Sequence, residues 1–206
     1  MQGVDISAAS AADVDATTTC AAAAFAADPL MHFFFGGSPM GVRAATIEFF
    51  TLLMRARLAL GMPALVARRE SAIVGVAMGY DAAPPEWPEA HARAWERFEA
   101  GIPGVAERFG AYEQIAERYR PQVPHYYLGV LGVDPALKGR GLGRELLQAF
   151  CALSAADQRS SGVYLETGSE ASLAFYLRNG FVLRGHEDLG GTPLWCVFSP
   201  HGSKGQ

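Results

Sequence analysis

Leu131-Gly132-Val133-Asp134-Pro135-Ala136-Leu137-Lys138-Gly139-Arg140-Gly141-Leu142-Gly143-Arg144 is the stretch on which the reading of this chain turns. An apolar strand runs into a loop with glycine at three alternate positions, 139, 141 and 143, and a helix begins there. Glycines spaced in this way let backbone N–H groups approach a ligand with no Cβ between them. A helix N-terminus adds unpaired N–H donors and the positive end of its dipole. Lys138, Arg140 and Arg144 add formal positive charge, so residues Lys138, Gly139, Arg140, Gly141, Leu142, Gly143 and Arg144 form a candidate diphosphate cradle. Two nucleotide-binding patterns fail on inspection. A P-loop needs Gly-Lys followed by Ser or Thr, which is absent. A dinucleotide fingerprint needs a third glycine where Arg144 stands.

Working outward toward the C-terminus, apolar residues Leu142, Leu146, Leu147, Phe150 and Leu153 recur at helical spacing over 141–157. Residues 163–167 read as a strand and 170–178 as a short helix stopped by Asn179-Gly180. Two further strands, 181–186 and 194–199, flank Gly190-Gly191, and a disordered tail is expected over 201–206. Toward the N-terminus, His125–Val133 reads as a strand in which Gly129 and Gly132 weaken regular pairing and suggest a bulge. Before it the chain reads as a short strand at 4–6, an Ala-rich helix from Ser10 to Ala27 and an aromatic segment over 30–35. A helix over 42–60, a hairpin of 64–68 with 72–80, and two helical pieces within 89–119 follow. The succession predicts a mixed α/β domain, one twisted six- to seven-stranded sheet flanked by helices.

The glycine-loop segment resembles the acyl-CoA signature of the GNAT superfamily of N-acyltransferases. Val133-Asp134-Pro135 matches its V-x-P, and Lys138-Gly139-Arg140-Gly141-Leu142-Gly143 matches its [QR]-x-x-G-x-[GA], with Lys in place of Gln or Arg. A second segment, Ala174-Phe175-Tyr176-Leu177-Arg178-Asn179-Gly180-Phe181, matches the family's F-Y-x-x-x-G-F after its fifth strand. The resemblance covers roughly 125–199 and is only architectural before that. It implies one GNAT domain over 1–206. An acceptor-side half would occupy about 1–124 with a helical insertion at 86–120, and an acetyl-CoA-binding half about 125–199.

The resemblance also implies roles. Main-chain groups at Leu131 and Val133 would pair with the pantetheine arm and polarise the thioester carbonyl, and Tyr176 would be the general acid. Ser169 and Ser172 stand where many relatives carry Asn, and a serine still donates and accepts hydrogen bonds at shorter reach. The general base is open between Glu166, His125 and Tyr127. Glu166 is favoured because a carboxylate in mid-strand between Leu165 and Thr167 is unusual and half-burial would raise its pKa. Phe33, Phe34, Phe35, Tyr80 and Trp87 are candidate linings of the acceptor pocket, with the insertion as a lid.

The expected reaction is acetyl transfer from acetyl-CoA to a primary amine, of a small molecule rather than a protein. The competing reading is an inactive GNAT-fold module that binds CoA or a protein partner. A net charge of -4 gives no basic excess for nucleic acid. Three scattered cysteines (Cys20, Cys151 and Cys196) give neither a disulfide framework nor a metal site, so no metal is expected. No apolar run reaches the length of a membrane span. The expected location is the cytoplasm, and the late strands leave room for a homodimer.

Overall fold

The computed structural model describes residues 3–83 and 86–201. The chain forms strands β1 (Val4–Ala8), β2 (Ala64–Arg69), β3 (Ala72–Tyr80), β4 (Tyr126–Val133), β5 (Gly162–Thr167), β6 (Val182–Leu189) and β7 (Thr192–Pro200). Helices α1 (Val14–Ala24), α2 (Pro29–Phe35) and α3 (Val42–Ala59) lie between the first two strands. Helices α4 (Glu89–Ala100) and α5 (Val105–Tyr119) lie between β3 and β4, in the stretch expected to be a helical insertion, and α6 (Leu142–Ala156) and α7 (Glu170–Arg178) flank β5. The sheet order is β1-β2-β3-β4-β5-β7-β6. All pairings are antiparallel except β4 with β5.

The expected mixed sheet is therefore seven-stranded, with a core on each face. On one face α6 sets Leu142, Leu146, Leu147 and Phe150 against Leu65, Ala77, Leu128 and Leu165 of the sheet. On the other, α1, α2, α3 and the insertion cover Val76, Met78, Val130 and Tyr164. Gly101 and Gly104 flank the break between α4 and α5, where Gly104 takes a φ of 70° that suits glycine.

Boundaries shift where local hydrogen bonds compete. The Ala-rich helix expected from Ser10 to Ala27 is shorter. Ser10 and Asp13 form a reciprocal capping box around a single 3-10 turn, Ala11–Asp13, and the α-helix runs from Val14 to Ala24. The last two strands are longer than expected because Gly190 and Gly191, at φ 62° and 89°, close a tight hairpin and let pairing continue up to it. Of the tail expected to be disordered, residues 202–206 lie outside the described residues, as do Pro84 and Pro85 of the Pro-rich loop.

The strand that matters most is β4. Its pairing with β3 slips where Met78 faces Val130 and Gly79 faces Leu128, so Gly129 is the extra residue of a bulge. A slip of one residue reverses which side chains face which core. Before the bulge Tyr126 and Leu128 enter the α6-side core. After it Val130 enters the opposite core, and Leu131 and Val133 pack on the α6 side. Gly79 lies against this bulge, where a Cβ would sit 1.8 Å from the Tyr127 carbonyl oxygen and 2.8 Å from Phe150 Cζ. Gly79→Ala must move backbone or an inner ring. The expected loss is about 2–3 kcal/mol, typical of overpacking in a tight core. Denaturant titration with far-UV circular dichroism checks it; an unchanged midpoint would mean the bulge yields freely.

Candidate active site

The glycine-rich loop and the gap between β4 and β5 define the site. β4 and β5 pair only at Tyr126–Val163 and Tyr127–Tyr164, and beyond those rungs the strands part. Backbone groups of β4 after Gly129 therefore have no β5 partner, and unpaired backbone groups of this kind require another partner or water. Leu131 and Val133 lie in this parted stretch.

From Val133 the chain makes one 3-10 turn, Pro135–Leu137, capped by the Asp134 side chain. Gly139 and Gly141 follow at φ 81° and 92°, and nothing lies within 4 Å of where a Cβ would stand on either. Both positions thus need glycine for backbone conformation and leave open space beside the chain. The N–H groups of Arg144 and Glu145 close on the Gly141 carbonyl, and that of Arg140 closes on Leu137. Those of Gly141, Leu142 and Gly143 have no acceptor among the described residues, as expected of a helix start. Lys138, Arg140 and Arg144 are exposed around them, whereas the Leu142 side chain is core. Leu142 can contribute to a cradle only through its N–H. The arrangement fits a diphosphate.

Beside the parted strands lies a cavity of about 710 Å³. Glu166, Ser172 and Tyr176 all line it, with Leu131. Ser169 does not; its hydroxyl caps α7 by accepting from the Ser172 N–H at 3.4 Å. Tyr176 is 8% exposed, and burial, with help from nearby Asp28, pushes its phenol well above the ordinary value. It keeps its proton at neutral pH.

Glu166 is held in a cluster of phenols. Tyr112 donates to Glu166 Oε2 at 2.8 Å, leaving the Tyr112 oxygen to accept from Tyr127 at 3.2 Å. Glu166 Oε1 is shielded from solvent and has no hydrogen-bond partner among the described residues. Burial raises the Glu166 pKa despite the phenols, which oppose the shift by stabilising the charged form. The other two candidate bases fare worse. Burial drives Tyr127 far above the ordinary phenol range. His125 Nδ1 donates to the Val123 carbonyl of its own loop at 2.7 Å, has its pKa lowered chiefly by burial, and lines not the main cavity but an adjoining one of about 580 Å³ that meets it at Tyr112, Tyr127 and Glu166.

Of the aromatics expected around the acceptor, Phe34, Tyr80 and Trp87 line the main cavity, and Trp87 Nε1 donates to the Tyr80 hydroxyl at 3.1 Å. Phe35 is fully buried in the core, and Phe33 packs against Gly190, so neither forms the wall. Sequence reasoning missed Phe49 and Arg57 on α3, Trp95 on α4, and Phe109 and Tyr112 on α5, which do. The available signal was the spacing of Trp95, Phe98, Phe109 and Tyr112, which places aromatics on the inner faces of both insertion helices.

Comparison with known proteins bears on family and fold. Residues 101–183 match the family model described as an acetyltransferase (GNAT) domain. The chain is 39% identical over 72 residues to the N-alpha-acetyltransferase RimI of Mycobacterium tuberculosis, a match covering 34% of this chain and 43% of that relative. The chain thus spans less than half the length of that curated relative. Among solved structures, one from Corynebacterium glutamicum described as histone acetyltransferase HPA2 and related acetyltransferase superposes with a TM-score of 0.70 at 25% identity, covering 98% of this chain and 99% of that one. The polyamine N-acetyltransferase of Drosophila melanogaster superposes at 0.64 with 22% identity, covering 95% and 98%, and shares the fold. Its parted strands, its glycine-rich loop and these matches support a GNAT-superfamily acetyltransferase, with the family match itself lying over residues 101–183 and the fold shared along the whole chain.

Proposed function

We propose that the chain transfers the acetyl group of acetyl-CoA to the primary amine of a small molecule by direct attack, both substrates being bound together. The observation that carries this reading is the meeting of Glu166, Tyr176 and the free edge of β4 in one cavity. Acetyl-CoA would supply an activated thioester. The N–H groups at Gly141, Leu142 and Gly143, with Lys138, Arg140 and Arg144 around them, would hold its diphosphate. Unpaired main-chain groups at Leu131 and Val133 would hold the pantetheine arm, and an N–H there would stabilise the charge that develops on the acyl oxygen. Ser172, in the cavity wall, is placed to bond the arm or the acceptor, while Ser169 acts by capping α7.

Glu166 takes the proton that the amine must lose for nitrogen to attack the carbonyl carbon. As the carbon–sulfur bond breaks, Tyr176 gives its proton to the departing sulfur. Five carboxylates (Asp28, Glu96, Glu99, Glu113 and Glu166) line the cavity against one cation, Arg57, among the described residues. Such a lining concentrates protonated amines. The cavity is enclosed by helices of the insertion and has the volume of a small-molecule site. That favours a small acceptor over a protein surface. A homodimer and a cytoplasmic location remain part of the proposal from sequence.

Calorimetric titration with acetyl-CoA and separately with ATP tests the donor. Tight binding of acetyl-CoA alone is expected, and its absence would sink the reading. Gly141→Val, which loses the φ of 92° that only glycine adopts freely, should abolish that binding with the fold retained by circular dichroism.

Tyr176→Phe should lower kcat by about 10²-fold or more, the usual weight of a general acid, and leave acetyl-CoA affinity unchanged. An undiminished kcat would remove Tyr176 from the chemistry.

The pH profile separates the candidate bases. Glu166 must be ionised to accept a proton and its pKa is raised. Activity should therefore rise with pH along a limb displaced above the ordinary carboxylate range. Glu166→Gln should erase that limb together with most of the rate. A limb that survives the substitution assigns the base elsewhere.

A further inference from the structure

Arg57 is a buried cation that the transfer chemistry does not use. It lies on α3 at 2% exposure. Its Nε donates to the Gly79 carbonyl at 3.2 Å and its Nη1 to the Leu53 carbonyl at 3.2 Å. The guanidinium sits over the Tyr80 ring, 4.4 Å from the centroid. No carboxylate pairs with it among the described residues. Nη2, with two N–H donors, has no hydrogen-bond partner among them either, although guanidinium burial without an anion is costly. Burial accordingly lowers the Arg57 pKa.

Nη2 is directed at the bulge. A Cβ on Gly129 would lie 2.9 Å from it and 3.0 Å from Tyr127 Cε1, so Nη2 and the Tyr127 ring edge already occupy the space a side chain there would need, and only glycine lets Nη2 come this close to the bulge. Arg57, Tyr127, Gly129 and Glu166 all line the main cavity. Arg57 and Glu166 both act electrostatically on the Tyr127 phenol, so both lie near that ring.

We propose that Arg57 Nη2 seats a carboxylate of the acceptor, so that the substrate class is an amine that also carries an acid, an amino acid with an apolar side chain. This rests on the amine-acceptor reading above. The amine lies toward Glu166 and the carboxylate toward Arg57, in the cavity that both line with Tyr127. The apolar part lies against Phe49, Trp95 and Phe109. A planar guanidinium with two free donors suits a carboxylate in a way that an ammonium does not.

Two experiments test this, one without acetyl transfer. Calorimetry on the full chain compares 3-phenylpropanoate with the neutral 3-phenylpropan-1-ol. The carboxylate is expected to bind at least about tenfold more tightly, the gain typical of a charge-assisted pair. Without an Arg57 seat, the five carboxylates of the lining dictate the opposite order, and that order would overturn the proposal. Arg57→Lys and Arg57→Met should each remove the preference. If both fail to fold, Gly129→Ala, which crowds Nη2, should do so. A folded variant that keeps the preference overturns the proposal. In the second experiment the wild type should acetylate L-phenylalanine with a higher kcat/KM than 2-phenylethylamine, and Arg57→Lys should collapse that ratio. Equal or reversed wild-type values overturn the assignment of substrate class. Carboxylate binding with no acetylation of either amine would instead refute the transferase reading and leave the anion seat standing.

Discussion

One extra residue in β4 governs the rest of the molecule. Because Gly129 has no partner on β3, every side chain after it turns to the opposite face from the one that strand alternation would give. The same irregularity comes just past the last rung joining β4 to β5, so the strands separate where the cavity begins. A bulge is a local loss of ladder hydrogen bonding, and its neighbours must restore what it removes. Arg57 does part of this by donating to the Gly79 carbonyl, which faces the slip. Gly79 itself does the rest by having no Cβ at a point where the chains nearly touch. Sheet irregularity, buried cation and open edge are thus one arrangement seen from three sides.

The electrostatics of the cavity follow from depth. Glu166 and Asp28 both have raised pKa values with burial as the first cause, and their hydrogen bonds only moderate the shift. Glu166 is the better placed to exchange a proton, since one oxygen is bonded to Tyr112 and the other has no bond. Asp28 is engaged as the N-cap of α2, accepting from the Leu30 N–H at 2.9 Å. Two acids shifted in the same direction therefore differ in what their lone pairs are free to do. The tyrosines around Glu166 are driven upward in pKa, so they remain donors across the pH range in which the acid titrates.

Much of this was legible in the sequence. The glycines at 139 and 141 announced themselves because a positive φ selects one residue type, and the bulge at Gly129 was readable for the related reason that glycine weakens a ladder. Tyr176 and Glu166 could be singled out because a motif and an out-of-place charge each leave a local mark. What stayed hidden was tertiary. Arg57 looks like one of the basic residues of an ordinary amphipathic helix, and only packing shows it to be deeply buried. Ser169 could not be told from a ligand contact because an N-cap serine and a binding serine look alike in sequence. The wall aromatics of α4 and α5 could not be assigned to a cavity before the helices were docked. Phe98, on the same face as Trp95, went into the core instead.

The cavity wall has a consequence for how such a protein diversifies. Trp95 and Phe109 belong to a helical pair that contributes no strand to the sheet and lies outside the glycine loop. Its connection to the scaffold runs through apolar contacts, Phe98, Ile102, Val105 and Ile115 among them, and through hydrogen bonds such as those of Arg108 to the Phe34 carbonyl and of Tyr164 to the Ala116 carbonyl. Residues that shape the pocket can therefore be exchanged while those anchors stay, with little strain passed to the parted strands. Selection acting on this pair could retune what enters the pocket at a low mutational cost, while the glycine loop and the parted strands are inherited intact.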